Sequence, residues 1–447
     1  MKKLSLITIG ILLVTGLFAQ SEKEKQLIKK NWNFGALPTV AFDSDLGFQY
    51  GALVNLYDYG DGVRYPNYDH SLYFELSRYT KGSSIARFYY DSDRLIKGMK
   101  ILMDLSYLTD QAFNFYGYNG YEAVYHSEWI DSDDKANYQT RMFYKYDRKL
   151  FRWKLDLQGK ITSNQFRWMA GLNFQNFEIG SVNIDKLNKG KKGDDILPSV
   201  TDKPGLYEKY QSWGIIGAEE ANGGFVPTFK GGLVYDTREN QANPMKGIWA
   251  EAVLETSPKM LGAESSFSRM CLLYRQYFTL IPRDLSFAYR LGYQSKIAGE
   301  VPFYYRSQLI TSVMPGATSE GLGGAKTVRG VLRDRIVGDG VVYGNAELRW
   351  KFKHFRWINN NFYLGLNAFA DFGKVTKEID VKSKVITKSS IPQPDYFNWG
   401  AEKAHIAYGG GFRIVMNENF VISADYGLAA DKQDGTSGMY LGLNYLF

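Results

Sequence analysis

The chain closes on "MYLGLNYLF", Met439–Phe447, and the reading of these nine residues decides the fold. One parity reads Met439, Leu441, Leu443, Tyr445 and Phe447; the other reads Tyr440, Gly442, Asn444 and Leu446. A period of two with one apolar face marks a half-buried strand. Soluble domains usually finish in a frayed polar tail, whereas this chain finishes on a bare phenylalanine.

The alternation recurs upstream. In "NAELRWKF" (Asn345–Phe352), Ala346, Leu348, Trp350 and Phe352 take one face, and Asn345, Glu347, Arg349 and Lys351 the other. "FYLGLNAFADFG" (Phe362–Gly373) and "FVISADYGLA" (Phe420–Ala429) divide in the same way. A sandwich core also gives alternation, but here the polar faces carry charges and glycines, and short connections alternate with long ones. That is the pattern of a transmembrane antiparallel β-barrel, the one sheet that spans lipid with its backbone paired. About sixteen strands can be placed on this scheme, the first from Leu37 and the last over Met439–Phe447. Long loops fall near Gly180–Gly224, Gly299–Gly340 and Thr376–Lys403. The closing strand is then expected to turn its apolar face to lipid, with its terminal aromatics in the interfacial girdle. Its free edge is expected to pair with the first strand.

Composition agrees. Aromatics make up 16% of the 447 residues, with 33 tyrosines and 45 glycines, yet the mean hydropathy is only −0.32. "MKKLSLITIGILLVTGLFAQS" has a basic start (Lys2, Lys3) and a short apolar run, and reads as a signal peptide over residues 1–19. A short periplasmic segment, residues 20–35, and a barrel over residues 36–447 follow. The leader's two lysines reduce 54 basic residues to 52 against 47 acidic ones. This thin excess in an exported chain excludes nucleic acid as a partner and favours outer-membrane lipid and lipopolysaccharide. Cys271 is the single cysteine, so an intrachain disulfide is ruled out; it reads as a small apolar strand residue. His70, His126, His354 and His405 are scattered without metal-ligand spacing, and no Gly-x-Ser-x-Gly elbow is present. "DSDLG" (Asp43–Gly47) and "DSDD" (Asp131–Asp134) read as solvated turns. No enzyme, metal or cofactor is expected.

The most distinctive stretch is "GLGGAKTVRGVLRDRIVGDG", Gly321–Gly340, where glycines bracket Arg329. Composition alone makes it a glycine-rich surface loop. Its Gly323, Gly324, Val328, Arg329 and Gly330 resemble the sixth-loop motif of the BamA/TamA/FhaC outer-membrane barrel superfamily, with Val331 where that family usually has an aromatic. "FNFYGYNG" (Phe113–Gly120), "YDTRENQANPMKG" (Tyr235–Gly247), "GNAELRW" (Gly344–Trp350) and "FADFG" (Phe369–Gly373) resemble other family motifs in order. Gly442, Tyr445 and Phe447 fit its C-terminal β-signal. The resemblance implies that the sixth loop folds into the lumen and that Arg329 pairs with carboxylates at Asp371 and Glu347. Both lie on the polar parity of their strands; lining a wet lumen is the alternative.

In that family periplasmic POTRA domains precede the barrel. The residues between the leader and the first strand are too few for one, so a bare barrel is expected. Fold alone does not deliver function, and three roles stay open. The resemblance implies assistance to outer-membrane protein assembly, translocation or membrane remodelling, with other outer-membrane or periplasmic proteins as partners. The alternatives are a non-catalytic scaffold subunit of an outer-membrane complex and a loop-plugged channel.

Overall fold

The computed structural model describes residues 27–43, 47–312, 321–388 and 390–447; the expected leader lies outside them. Sixteen strands form one antiparallel sheet in chain order. They are β1 (Trp32–Asp43), β2 (Gly47–Asp58), β3 (His70–Tyr79), β4 (Ser84–Ile96), β5 (Met99–Asn114), β6 (Lys145–Lys160), β7 (Phe166–Gly180) and β8 (Gly223–Asp236). The second half holds β9 (Gly247–Ser257), β10 (Phe267–Ile281), β11 (Leu285–Gly299), β12 (Gly340–Trp357), β13 (Asn360–Lys377), β14 (His405–Met416), β15 (Phe420–Ala429) and β16 (Ser437–Leu443). No described helix is long and apolar enough to cross a membrane, so any crossing is made by strands.

Side-chain parity sorts the two faces. On β12 Leu348 is 43% exposed while its neighbour Glu347 is fully buried. The outer face is apolar all round the wall, as lipid requires. The inner face is charged, and many of its charges are paired: Arg87 Nε donates to Asp104 Oδ2 at 2.9 Å, Lys230 Nζ to Asp156 Oδ2 at 2.8 Å and Arg269 Nη2 to Glu255 Oε2 at 2.6 Å. Burying a lone charge would cost several kcal/mol, so a crowded polar lumen must be built in such pairs. Cys271 lies on this inner face, buried, with its thiol 3.2 Å from the Ile310 carbonyl.

Both ends of the wall are distinct. Turns such as 358–359 and 417–419 are tight, with positive φ at Ile358, Asn359, Asn417 and Glu418. The opposite end carries the connections 115–144, 181–222, 300–339 and 378–404. By the rule for such barrels the short turns are periplasmic and the long connections external. The connection 115–144 is a fourth long one, since β5 runs on to Asn114 and β6 starts only at Lys145. The long connections share one aromatic cluster, with Phe115 edge-on to Tyr210 at 5.1 Å and Trp213 edge-on to Tyr396 at 4.8 Å. Arg335 ties this canopy to the connection 300–339, donating to the Gly120 and Ala123 carbonyls at 2.7 and 2.8 Å.

Three expectations need correction. First, β1 begins at Trp32, ahead of Leu37. Gly35 and Pro38 discourage a strand by propensity, but proline is tolerated on an edge strand, and β1 is an edge. Second, β1 and β16 share no ladder among the described residues; β1 pairs with β2 alone and β16 with β15 alone. Contacts from β15 and the turn before it reach β1 and β2 instead. A Cβ on Gly35 would stand 2.3 Å from the Phe420 ring, so glycine lets that ring lie on β1. Tyr57 Oη, at the end of β2, donates to the Asn419 carbonyl at 3.0 Å. Third, β16 stops at Leu443. Asn444 takes φ 68°, a left-handed conformation that asparagine tolerates better than most residues. The final residues therefore turn inward. Met439 and Leu441 stay more than 70% exposed, whereas Tyr445 and Phe447 are buried among inner-face side chains and not in a lipid girdle.

Candidate functional site

The site is built on the connection 300–339. Its limbs are clipped by the Leu322↔Ile336 bridge. Thr327 Oγ1 accepts from Gly323 N at 2.9 Å, and Gly324 N donates to Val331 O at 2.9 Å. Gly323, at φ 114°, lets the limbs close; a Cβ there would stand 2.0 Å from Leu332 O. Val328 and Val331 are buried with Leu322, Ile336 and Val375. Valine at 331 thus fills an apolar niche where the family motif carries an aromatic.

Arg329 projects from this tip onto β12, β13 and β15. Its Nε and Nη2 donate to Asp371 Oδ2 and Oδ1 at 2.8 and 2.9 Å, and its backbone N donates to Oδ2 at 3.0 Å. Nη1 donates to Glu347 Oε1 at 2.6 Å and lies 3.6 Å from Asp425 Oδ2. The guanidinium covers the Phe369 ring, 3.5 Å from its centroid. Arg349 Nε holds the other Glu347 oxygen at 2.7 Å, and Arg413 grips Asp425 at 2.8 and 2.9 Å. Three arginines and three carboxylates thus interlock. Burial opposes the charge on Arg329, but Glu347 and Asp371 outweigh it and hold its pKa above the ordinary value. A planar fork suits this bidentate geometry and a lysine does not.

Gly330 and Gly427 seat the tip. Gly330 has φ 100°, its N donates to Tyr440 Oη at 2.9 Å, and a Cβ would meet Leu428 N at 2.7 Å. A Cβ on Gly427 would stand 2.6 Å from the Arg329 carbonyl carbon. Backbone meets backbone here, so neither side can yield. Gly427→Val is expected to cost about 1–3 kcal/mol by overpacking and to raise the rate of protease cleavage within residues 321–336. Unchanged cleavage in limited proteolysis would separate Gly427 from the seating of the tip.

Gly323, Gly324, Val328, Arg329, Gly330, Glu347 and Asp371 thus converge on one site. Of the C-terminal residues, Tyr445 borders it, with the Arg349 guanidinium 4.5 Å from its ring centroid. Phe447 packs on Tyr277 and Ala288 further along. Gly442 stands apart, and a Cβ there would meet nothing nearer than Ser423 Oγ at 3.9 Å. Sequence reasoning missed Asp425, Arg349, Arg413 and Tyr440 as members; all four lie on inward parities, which was the available signal.

A family model described as "Omp85 superfamily domain" matches residues 70–447. The chain belongs to the Omp85 superfamily. Solved structures similar to this Omp85 barrel include BamA from Haemophilus ducreyi lacking POTRA domains 1-3, at 13% identity and TM-score 0.47, covering 93% of this chain and 69% of that one. CdiB from Escherichia coli is similar at 11% identity and TM-score 0.51, covering 92% of this chain and 62% of that one. At such identities the likeness is one of fold. The chain spans less than two thirds of the CdiB structure. No curated protein matches the chain. As an Omp85 barrel it resides in the outer membrane of a Gram-negative bacterium.

Proposed function

We propose that this Omp85 barrel aids outer-membrane protein assembly, translocation or membrane remodelling through the seam between β1 and β16. One observation carries this: every other neighbouring pair is laddered, and this pair is not, among the described residues. Unpaired backbone groups facing hydrocarbon cost several kcal/mol each, so the seam is the weakest line in the wall and the place where a strand or an acyl chain gains most by inserting. The wall is also lowest there. β16 has 7 residues against 18 in β12 and β13, and at ~3.3 Å per residue it reaches roughly 23 Å before tilt. That falls short of the ~25 Å apolar band of such barrels once tilted, and a short span thins the bilayer beside it.

The test is a covalent lock. In a Cys271→Ser background, cysteine pairs are scanned with one at Ala36 or Pro38 and the other at Met439 or Leu441, and the pair that forms a disulfide is kept. Cells depleted of the native protein should lose several barrel proteins from the outer membrane by quantitative proteomics, with transcripts unchanged. The locked variant should fail to restore them, and the same variant held reduced should succeed. Full restoration by the locked form would defeat the seam reading.

A scaffold role is the second reading, favoured by the long external connections 181–222 and 378–404. Its mark would be one companion protein copurifying at near-equal amount. The channel reading loses ground to the packing of residues 321–336 against the inner wall.

A further inference from the structure

Below the Arg329 site the lumen holds a cavity of ≈ 90 Å³. By the ~10–15 Å³ each needs, it has room for about six waters. Its walls come from β2–β4 on one side of the seam and from the C-terminal residues Asn444–Phe447 on the other, with the turn 237–246 beneath. The charges around it do not balance. Asp91, the lining side-chain carboxylate, is engaged by Lys100 at 3.1 Å and by the Tyr68 hydroxyl at 2.9 Å. Arg238 is held by Asp236 at 2.9 and 3.1 Å. Two lining cations remain, Arg275 and Lys326.

Arg275 is more than nine-tenths buried, yet among the described residues it makes no hydrogen bond or ion pair, and its Nε is an unmatched donor. Directly across the β10–β11 ladder stands Arg290. Arg290 finds only neutral acceptors, Asn345 Oδ1 at 2.8 Å and the Lys326 carbonyl at 3.1 Å. Like charges directly opposed on one face destabilise a sheet, and an unpaired buried charge costs more still. Lys326 reaches only the Leu443 carbonyl, at 3.4 Å. Burial, with Arg87 and Arg413 nearby, outweighs the carboxylates of Asp425 and Glu75 and pulls its ammonium down to about 8; among the described residues neither carboxylate forms an ion pair with it. The carboxylate of the last residue, Phe447, also borders the cavity, but it is paired with a further arginine, Arg349 Nη2 donating to it at 3.0 Å. Tyr89 adds a buried hydroxyl without a partner on the same wall.

We infer that this cavity is a binding site for a phosphate-bearing anion, held by Arg275 and Lys326 with the Tyr89 hydroxyl. A guanidinium fork, an ammonium and a hydroxyl together match the several acceptor oxygens of a phosphate. The phosphate belongs either to a free ion or to an anionic lipid headgroup admitted beside the seam. The inference needs only the cavity and its charges, so it stands whether or not the seam opens.

The test uses the full chain, delipidated in a non-ionic detergent at fixed ionic strength. Inorganic phosphate, dihexanoyl phosphatidylglycerol and a phosphate-free galactolipid are titrated separately and followed by calorimetry. Saturable binding of one or both phosphate probes, with none of the galactolipid, is expected. Affinity should fall at least tenfold in Arg275→Gln/Lys326→Gln and a few-fold in Tyr89→Phe. Binding of phosphatidylglycerol without inorganic phosphate assigns the site to a lipid headgroup; binding of both at similar strength assigns it to the phosphate group itself. If the double variant does not fold, judged by its electrophoretic heat-shift, Lys326→Gln and Tyr89→Phe decide alone. Absence of phosphate-probe binding, or binding that these variants leave unchanged, overturns the proposal.

Discussion

Arg329→Ala is expected to lower the barrel's unfolding free energy by about 3–5 kcal/mol, the range for breaking a buried ion pair from one side. The cost lies chiefly in what is left behind. Asp371 loses two donors, keeping only the backbone N–H of residue 329, and Glu347 loses one, and both are buried where water does not replace them. Urea unfolding in detergent, read by the electrophoretic heat-shift, measures the loss, and residues 321–336 should become open to protease. Arg329→Lys should recover little, because one ammonium cannot span Asp371 and Glu347 as Nε, Nη1 and Nη2 do. Arg329→Ala with Asp371→Asn should be less damaging than the two single costs together, since no orphaned charge remains at 371. Strict additivity would mean that the pair is not energetically coupled.

Phe447→Ala should have an effect of similar size, about 3–5 kcal/mol, as for a phenylalanine removed from a packed interior. Its ring sits on Tyr277 and Ala288 and lies under Arg290 and Arg349, at 5.2 and 4.8 Å. On a lipid-facing girdle the same substitution would cost far less, because acyl chains fill the space it vacates. Met439→Ala and Leu441→Ala, on the exposed part of β16, supply that comparison and should each cost under about 1 kcal/mol, as outward-facing substitutions do. The same unfolding assay ranks all three. Equal effects at positions 439, 441 and 447 would return Phe447 to the lipid face.

These two residues also show what the sequence carried and what it did not. The wall was legible because each strand repeats a rule with period two: the alternation that puts Leu348 outside puts Glu347 inside, and the same holds for Ala370 and Asp371. Arg329 was legible only through the resemblance of its loop motif, since a lone arginine among glycines has no periodicity. Parity failed at the C-terminus. Tyr445 and Phe447 continue the apolar register of Met439 and Leu441, and nothing in that register records that Asn444 adopts a positive φ. One left-handed residue cancels the alternation beyond it. The unladdered seam was hidden for a related reason, because strand pairing is a property of two distant segments and neither Gly35 nor Phe420 announces the other. The start of β1 at Trp32 was obscured by Gly35 and Pro38, whose propensities describe a central strand and not an edge.

The aromatic canopy over the long connections has a consequence for traffic. Phe115, Tyr210, Trp213 and Tyr396 pack like the interior of a soluble protein, and Arg335 rivets them to the connection that carries Arg329. The described parts of these connections form a packed cover at the cell-surface end of the barrel. A bacterium that makes more of this protein should become no leakier to bulky antibiotics in its surroundings.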